Sequence, residues 1–201
     1  MRRSILFVFV VLCTLGIAPD YPLGTGAGMS LLGAAEIDSP AIEVITNNYA
    51  ARNFAPGTVS KADLDRILAA GVRAPSANNR QPWHFTVVQN QALAKRIVSN
   101  ITEGNVLIIV SAAGDGTNSR VVLDCALATE SIYLAAQALG LGSRIYTGPM
   151  DTINRQLKAE LEMPKDYSAV ALVRIGRVAP DADAVSAASA RKPLEGMVNY
   201  K

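Results

Sequence analysis

Residues Ala74 to Phe85 read Ala-Pro-Ser-Ala-Asn-Asn-Arg-Gln-Pro-Trp-His-Phe. Prolines at 75 and 82 bound a stretch dense in hydroxyl, amide and guanidinium groups. Such groups on a stiff loop suit recognition of a planar ligand with hydrogen-bonding edges. They also suit a turn that satisfies its own backbone. Other chemistries are scarce. His84 is the only imidazole, which excludes two-histidine zinc sites. Next to Trp83 at the start of a strand-forming run, it reads as structural. Cys13 and Cys125 are the only cysteines, which excludes a disulfide scaffold and a four-cysteine zinc site. Cys125 lies in an apolar stretch and reads as inert packing. No Ser-His-Asp arrangement is evident, and no G-x-G-x-x-G follows a strand. Gly114-x-Gly116 and Gly140-x-Gly142 stand alone and read as turns. No metal site is expected.

The loop must be held by ordered elements, and the composition allows them. Of 201 residues, 50% are hydrophobic and 18% charged, the balance of a globular chain rather than a disordered one. Ser39-Pro40 predicts a helix start, with Ile42, Ile45 and Tyr49 as its stripe. Pro56-Gly57 marks a turn. Ser60 and Asp63 form a capping box for a helix bearing Leu64, Ile67, Leu68 and Val72, stopped by Pro75. Strands are expected at 84–88, 106–110, 143–147 and 169–175, and helices at 92–101, 121–139 and 151–162, the last capped by Asp151. The helix 121–139 is apolar on nearly every side. Its interior polar residues are Asp124, Thr129, Glu130, Ser131 and Gln137, and such a helix belongs at the centre of a structure. The tail from 180 to 201 has no core of its own. The order is that of one mixed α+β (α/β) domain with roughly four strands.

At the N-terminus, Arg2-Arg3 precede an apolar or small run from Ser4 to Ala18, the pattern of an export signal. The run is short for a membrane span, though a membrane anchor is the alternative reading. Residues 1–35 are therefore expected to be signal peptide and linker, and 36–201 the folded domain, exported and periplasmic. Without Arg2, Arg3 and Asp20, the remainder has 17 basic and 16 acidic side chains. That balance does not suit nucleic acid or an anionic membrane.

The Pro75-to-Trp83 segment resembles the P-S-x-x-N-x-Q-P-W motif of the FMN-dependent nitroreductase family. Three further pieces follow the same order. Ala51-Arg52-Asn53-Phe54 resembles the end of the family's R-x-S-x-R-x-F segment. Asp124-Cys125-Ala126 through Leu134 to Ser143 resembles its central helix and G-L-G exit. Arg191-Lys192-Pro193-Leu194-Glu195 resembles its C-terminal arginine motif. The likeness spans residues 41–200. It implies a nitroreductase-like fold, with a mainly antiparallel sheet of four to five strands flanked by helices. It also implies an intertwined homodimer with FMN at the interface.

The resemblance carries residue roles too. Arg52 would lie near the pyrimidine edge of the flavin, where a fixed cation stabilises negative charge on the reduced ring. Pro75, Ser76 and Ala77 would border the ring, with Asn79 and Gln81 bonding to it or shaping the loop. Thr147 and Gly148 would present backbone to flavin N5, and Arg191, with Lys192 beside it, would hold the phosphate. Asn48 and Ala50 stand where the family usually offers the phosphate an arginine and a serine, a departure that weakens the site unless Arg73 or Arg80 substitutes. The expected activity is hydride transfer from a reduced donor, NAD(P)H, through FMN to a nitroaromatic, quinone or enone in ping-pong fashion. A non-catalytic flavin- or ligand-binding dimer is the alternative.

Overall fold

The protein is described by a computed structural model covering residues 39–179 and 191–201. The expected signal and linker, and residues 180–190 of the tail, lie outside the described residues. Five strands form one sheet: β1 (Phe54–Ala55), β2 (Trp83–Val88), β3 (Val106–Ala113), β4 (Gly142–Tyr146) and β5 (Tyr167–Val178). Every pairing is antiparallel. β5 is the hub, flanked by β3 on one side and by β1 and β4 on the other, and β2 closes the far edge against β3.

β3 shows why this sheet is central. Its first seven residues are all buried, as expected of a strand covered on both faces. Val106, Ile108, Val110 and Ala112 enter one cluster with α2 (Lys61–Val72) and α4 (Ser119–Ala138). Leu107 and Ile109 enter another, with α3 (Gln91–Ile97) and with Ile153, Leu157 and Leu161. The period-2 alternation of a strand divides the core in two. Gly71 lets α2 approach α4: a Cβ there would sit 2.7 Å from the Ile132 side chain.

Several expected boundaries move. The strand 106–110 continues to Ala113 and 169–175 widens to 167–178, because ladder pairing carries polar and small residues that periodicity ignores. β1 is a two-residue strand, too short to read from sequence. The helix expected at 92–101 ends at Ile97. The helix expected at 151–162 begins instead as α5 (Met150–Thr152), capped by Pro149 rather than Asp151. It passes into a π-helical turn at Ile153–Leu157. α1 (Pro40–Thr46) stops before Tyr49 and buries none of its residues.

Candidate functional site

Loop 75–81 connects α2 to β2 and takes an unusual path. Asn78, Asn79 and Gln81 all lie in the left-handed region, at φ 55°, 53° and 48°. Such backbone costs of order 1 kcal/mol or more per residue and persists only where contacts hold it. Asparagine tolerates it best. Most of the holding contacts are internal. Ser76 Oγ accepts from Gln81 N at 2.9 Å, Asn79 N donates to Ser76 O at 3.0 Å, and Arg80 Nε donates to Ala77 O at 3.2 Å. Gln81 Nε2 donates to Asn79 Oδ1 at 3.1 Å. One contact is external: Ala77 N donates to Asp124 Oδ1 on α4 at 3.0 Å.

This wiring refines the expected roles. The Ala77 amide is engaged inward, so Ala77 offers a ligand only its methyl group. Gln81 shapes the loop. Pro75 and Asn79 are exposed. The side-chain amide of Asn78, exposed at the tip, has no partner among the described residues. The motif spacing singled out Asn79 and passed over this neighbour. Asp124 was visible in sequence as an acid inside an apolar helix, but not its partner.

The other end of α4 carries a denser network. Gln137 Oε1 accepts from Tyr49 N at 3.1 Å, and Gln137 Nε2 donates to Tyr49 O at 3.0 Å and Ser143 Oγ at 2.9 Å. Ser143 Oγ donates to Tyr133 O at 2.8 Å, and Ser143 O accepts from Ala51 N at 2.9 Å. Tyr133 Oη donates to Asn48 Oδ1 at 3.2 Å. Arg52 follows Ala51 directly and is exposed without an ion pair among the described residues. Burial pushes the Tyr133 phenol above its usual range, and the nearby Arg191 charge pulls it back in part. Arg191 therefore belongs to this end. Lys192 beside it is exposed.

Arg174 on β5 is buried and has no carboxylate partner among the described residues. Its Nε donates to Asn105 Oδ1 at 2.7 Å, its Nη2 to Thr102 Oγ1 at 3.0 Å, and its guanidinium sits 4.0 Å from the Phe54 ring centroid. Burial away from solvent lowers its pKa. It pins Phe54, two residues after Arg52.

Thr147 and Gly148 leave β4 into a cleft of about 440 Å³ shared with Asp115, Gly116, Val122, Met150 and Val170. A Cβ on Gly148 would meet nothing within 4 Å, so its backbone is open to a ligand's approach. Asp115 Oδ1 accepts from Thr117 N and Oγ1, bonds that hold its carboxyl below the usual range. Beyond Tyr146, the Asn154 side chain takes over from β4. Its Nδ2 donates to Ala169 O at 3.0 Å and its Oδ1 accepts from Ala169 N at 2.8 Å.

The expected site residues thus fall into groups that one chain does not unite. Loop 75–81 is anchored at Asp124. Arg52 follows Ala51, which Ser143 holds beside Gln137, and the Arg191 charge lies near Tyr133. Asp124 and Gln137 are about 20 Å apart along the helix at 1.5 Å per residue. Arg73 and Arg80 sit with the loop and cannot replace Asn48 in their own chain. His84 Nδ1 is buried without a hydrogen bond among the described residues, with the ring edge-on to Tyr167 at 5.9 Å. Trp83 is in the core and Cys125 is buried, its thiol pushed up to about 11 by desolvation, so both read as packing.

The profile of the Nitroreductase family matches residues 45–105 and 97–177. An Archaeoglobus fulgidus protein provisionally named NADH dehydrogenase/NAD(P)H nitroreductase is 34% identical over 146 residues, covering 67% of this chain and 83% of that protein. A CLA biosynthesis enone reductase of Lactiplantibacillus plantarum is 27% identical over 97 residues, 44% of each chain. Among solved structures, a Desulfitobacterium hafniense nitroreductase with bound FMN superposes with a TM-score of 0.68 at 21% identity. That match covers 81% of this chain and 98% of the other.

Proposed function

The chain belongs to the nitroreductase family, and on that premise we propose that it is an FMN-dependent NAD(P)H oxidoreductase acting as a homodimer. The observation that carries this reading is the division of the site between the two ends of α4. Antiparallel packing of α4 against a second copy would bring the loop of one chain beside Arg52 and Arg191 of the other. The surface suits such a partner. Leu123 and Leu127 on α4, Ile42 and Ile45 on α1, and Leu194 and Met197 in the tail are all exposed, more apolar surface than an isolated domain usually presents.

The residues fit FMN. Its phosphate needs a fixed donor fork, which Arg191 supplies. Its ring needs a planar bed and edge partners. Pro75, Ser76 and Ala77 would form the bed, Asn78 and Asn79 offer amides, and Gln81 holds the loop's shape. The open backbone at Gly148, beside Thr147, admits close approach. Arg52 would set a cation at the ring's edge, and Lys192 would add charge near the phosphate. Bound FMN would supply a two-electron carrier between a nicotinamide donor and a nitroaromatic, quinone or enone acceptor. The protein then needs no acid or base of its own. It binds, orients and excludes water. The basic, apolar start of the sequence supports export to the periplasm.

The visible spectrum of the purified chain, before and after FMN addition and desalting, tests this reading, together with its mass in solution. Near one retained flavin per chain in a dimer is the expected result. A folded dimer that retains none would sink it. One observation favours a second reading, a flavin-binding dimer without turnover. The Asn48 amide is engaged by Ile45 O and Tyr133 Oη, so it is not free to bond a phosphate. Steady-state turnover with NADH or NADPH and a panel of acceptors separates the two.

A further inference from the structure

We propose that Asp124 is the positioning residue that fixes loop 75–81 in its flavin-binding conformation; this rests on the FMN reading above. Asp124 is 4% exposed, a charge buried in an otherwise apolar turn of α4. Among the described residues its one hydrogen-bond partner is the Ala77 amide, at 3.0 Å. A buried carboxylate is costly to place and needs a reason.

The loop's wiring supplies the reason. Its other hydrogen bonds, between Ser76 and Gln81, Ser76 and Asn79, Arg80 and Ala77, and Gln81 and Asn79, run within the loop itself. They set its shape but not its place. The flanks are held by α2 and by β2, where Ala113 N donates to Pro82 O at 3.3 Å. The tip, with its left-handed residues, is tied to the body through Asp124. Drawing the Ala77 amide inward leaves Asn78 at the exposed turn. A charge-assisted bond is the stronger kind, and this one aims the loop without touching the ligand.

The test uses the full chain freed of flavin, comparing wild type, D124A, D124N and A77P. Two quantities are measured: hydrogen exchange of the loop amides in the flavin-free protein, and FMN affinity by quenching of flavin fluorescence. D124A should exchange the Ala77 amide at least about tenfold faster and bind FMN roughly 10- to 100-fold more weakly. D124N keeps an oxygen that accepts from Ala77 but loses the charge, and should fall between wild type and D124A on both. A77P removes the donor from the loop side, leaves α4 untouched, and carries the test if D124A does not fold. Where D124A folds, adding it to A77P should cost no further affinity.

Three results would overturn the proposal. One is unchanged exchange in D124A. Another is faster exchange with unchanged FMN affinity. The third is a further loss of affinity when D124A is added to A77P, which would mean that Asp124 acts on FMN by a route other than the Ala77 amide. Wild type that binds no FMN overturns the flavin reading, and the exchange data separate that failure from a loop that Asp124 does not hold.

Discussion

The two ends of α4 hold their neighbours in opposite ways. At the C-terminal end, Gln137, Ser143, Tyr133 and Asn48 form a neutral network in which Tyr49 is gripped at both its N–H and its C=O. At the N-terminal end a single charged bond, Ala77 to Asp124, locates a strained loop. In the first arrangement one side chain, Gln137, carries both backbone groups of Tyr49, and Tyr133 and Ser143 brace Asn48 and Ala51 on either side of it. The second is economical, and removal of one atom frees the loop tip. The network holds the chain leading to Arg52, while the place of loop 75–81 rests on the single bond.

That contrast can be tested by substitution. The largest effect on stability is expected from Gln137→Ala, which strands the Tyr49 backbone groups. Tyr49 and Gln137 are half-buried, so water takes up part of the loss and each bond is worth about 0.5–1.5 kcal/mol; a loss of about 1–3 kcal/mol is expected, read by thermal melting as a fall of roughly 3–9 °C. A melting point that did not move would show that Gln137 does not hold this segment. Next comes Arg191→Ala. It should weaken FMN roughly 10- to 150-fold, the equivalent of one charge-assisted contact of about 1.5–3 kcal/mol. Titration calorimetry decides this, and Arg191→Lys should recover only part of the affinity.

A smaller effect is expected at the loop. Asn78→Gly relieves left-handed strain and should stabilise the protein by up to about 1 kcal/mol. It should also weaken FMN by roughly 2- to 10-fold by removing the amide. Opposite signs in melting and binding would mark strain kept for recognition; equal signs would refute that. The smallest effect is electrostatic. Arg191 favours the ionised Tyr133 phenol against its burial, so Arg191→Ala should raise the phenol's pKa further in an ultraviolet titration. The sign for stability follows. The folded state keeps this proton longer than the unfolded one, so stability present below the unfolded phenol's pKa of about 10 is lost as pH rises through the folded value.

Much of this was legible in the sequence, and the gaps have physical causes. The apolar run of β3 and the all-round apolar α4 announced a central strand and helix, because burial on several sides leaves a compositional trace. The loop was legible from its prolines and amides. The breakdown of 151–162 into a short helix and a π turn was not, since periodicity does not distinguish a 3.6-residue turn from a wider one. Nor was the inward use of the Ala77 amide. Backbone direction depends on φ, and Asn78-Asn79 gives only a hint of a left-handed turn. Asp124 and Gln137 were visible as polar residues in an apolar helix, but their partners, 47 and 88 residues away in sequence, come from the fold alone.

Asn154 offers a last consequence. By bonding both backbone groups of Ala169, one side chain closes the ladder that β4 leaves at Tyr146. That bond ties the ladder to the π-helical turn, so residues 147–152 run between two fixed points, Tyr146 on β4 and the pair formed by Asn154 and buried Ile153. Such a segment tolerates exchange at its exposed side chains, Asp151 first, while its length stays set by its two ends. For anyone reshaping the cleft at Gly148, the route is substitution, not insertion.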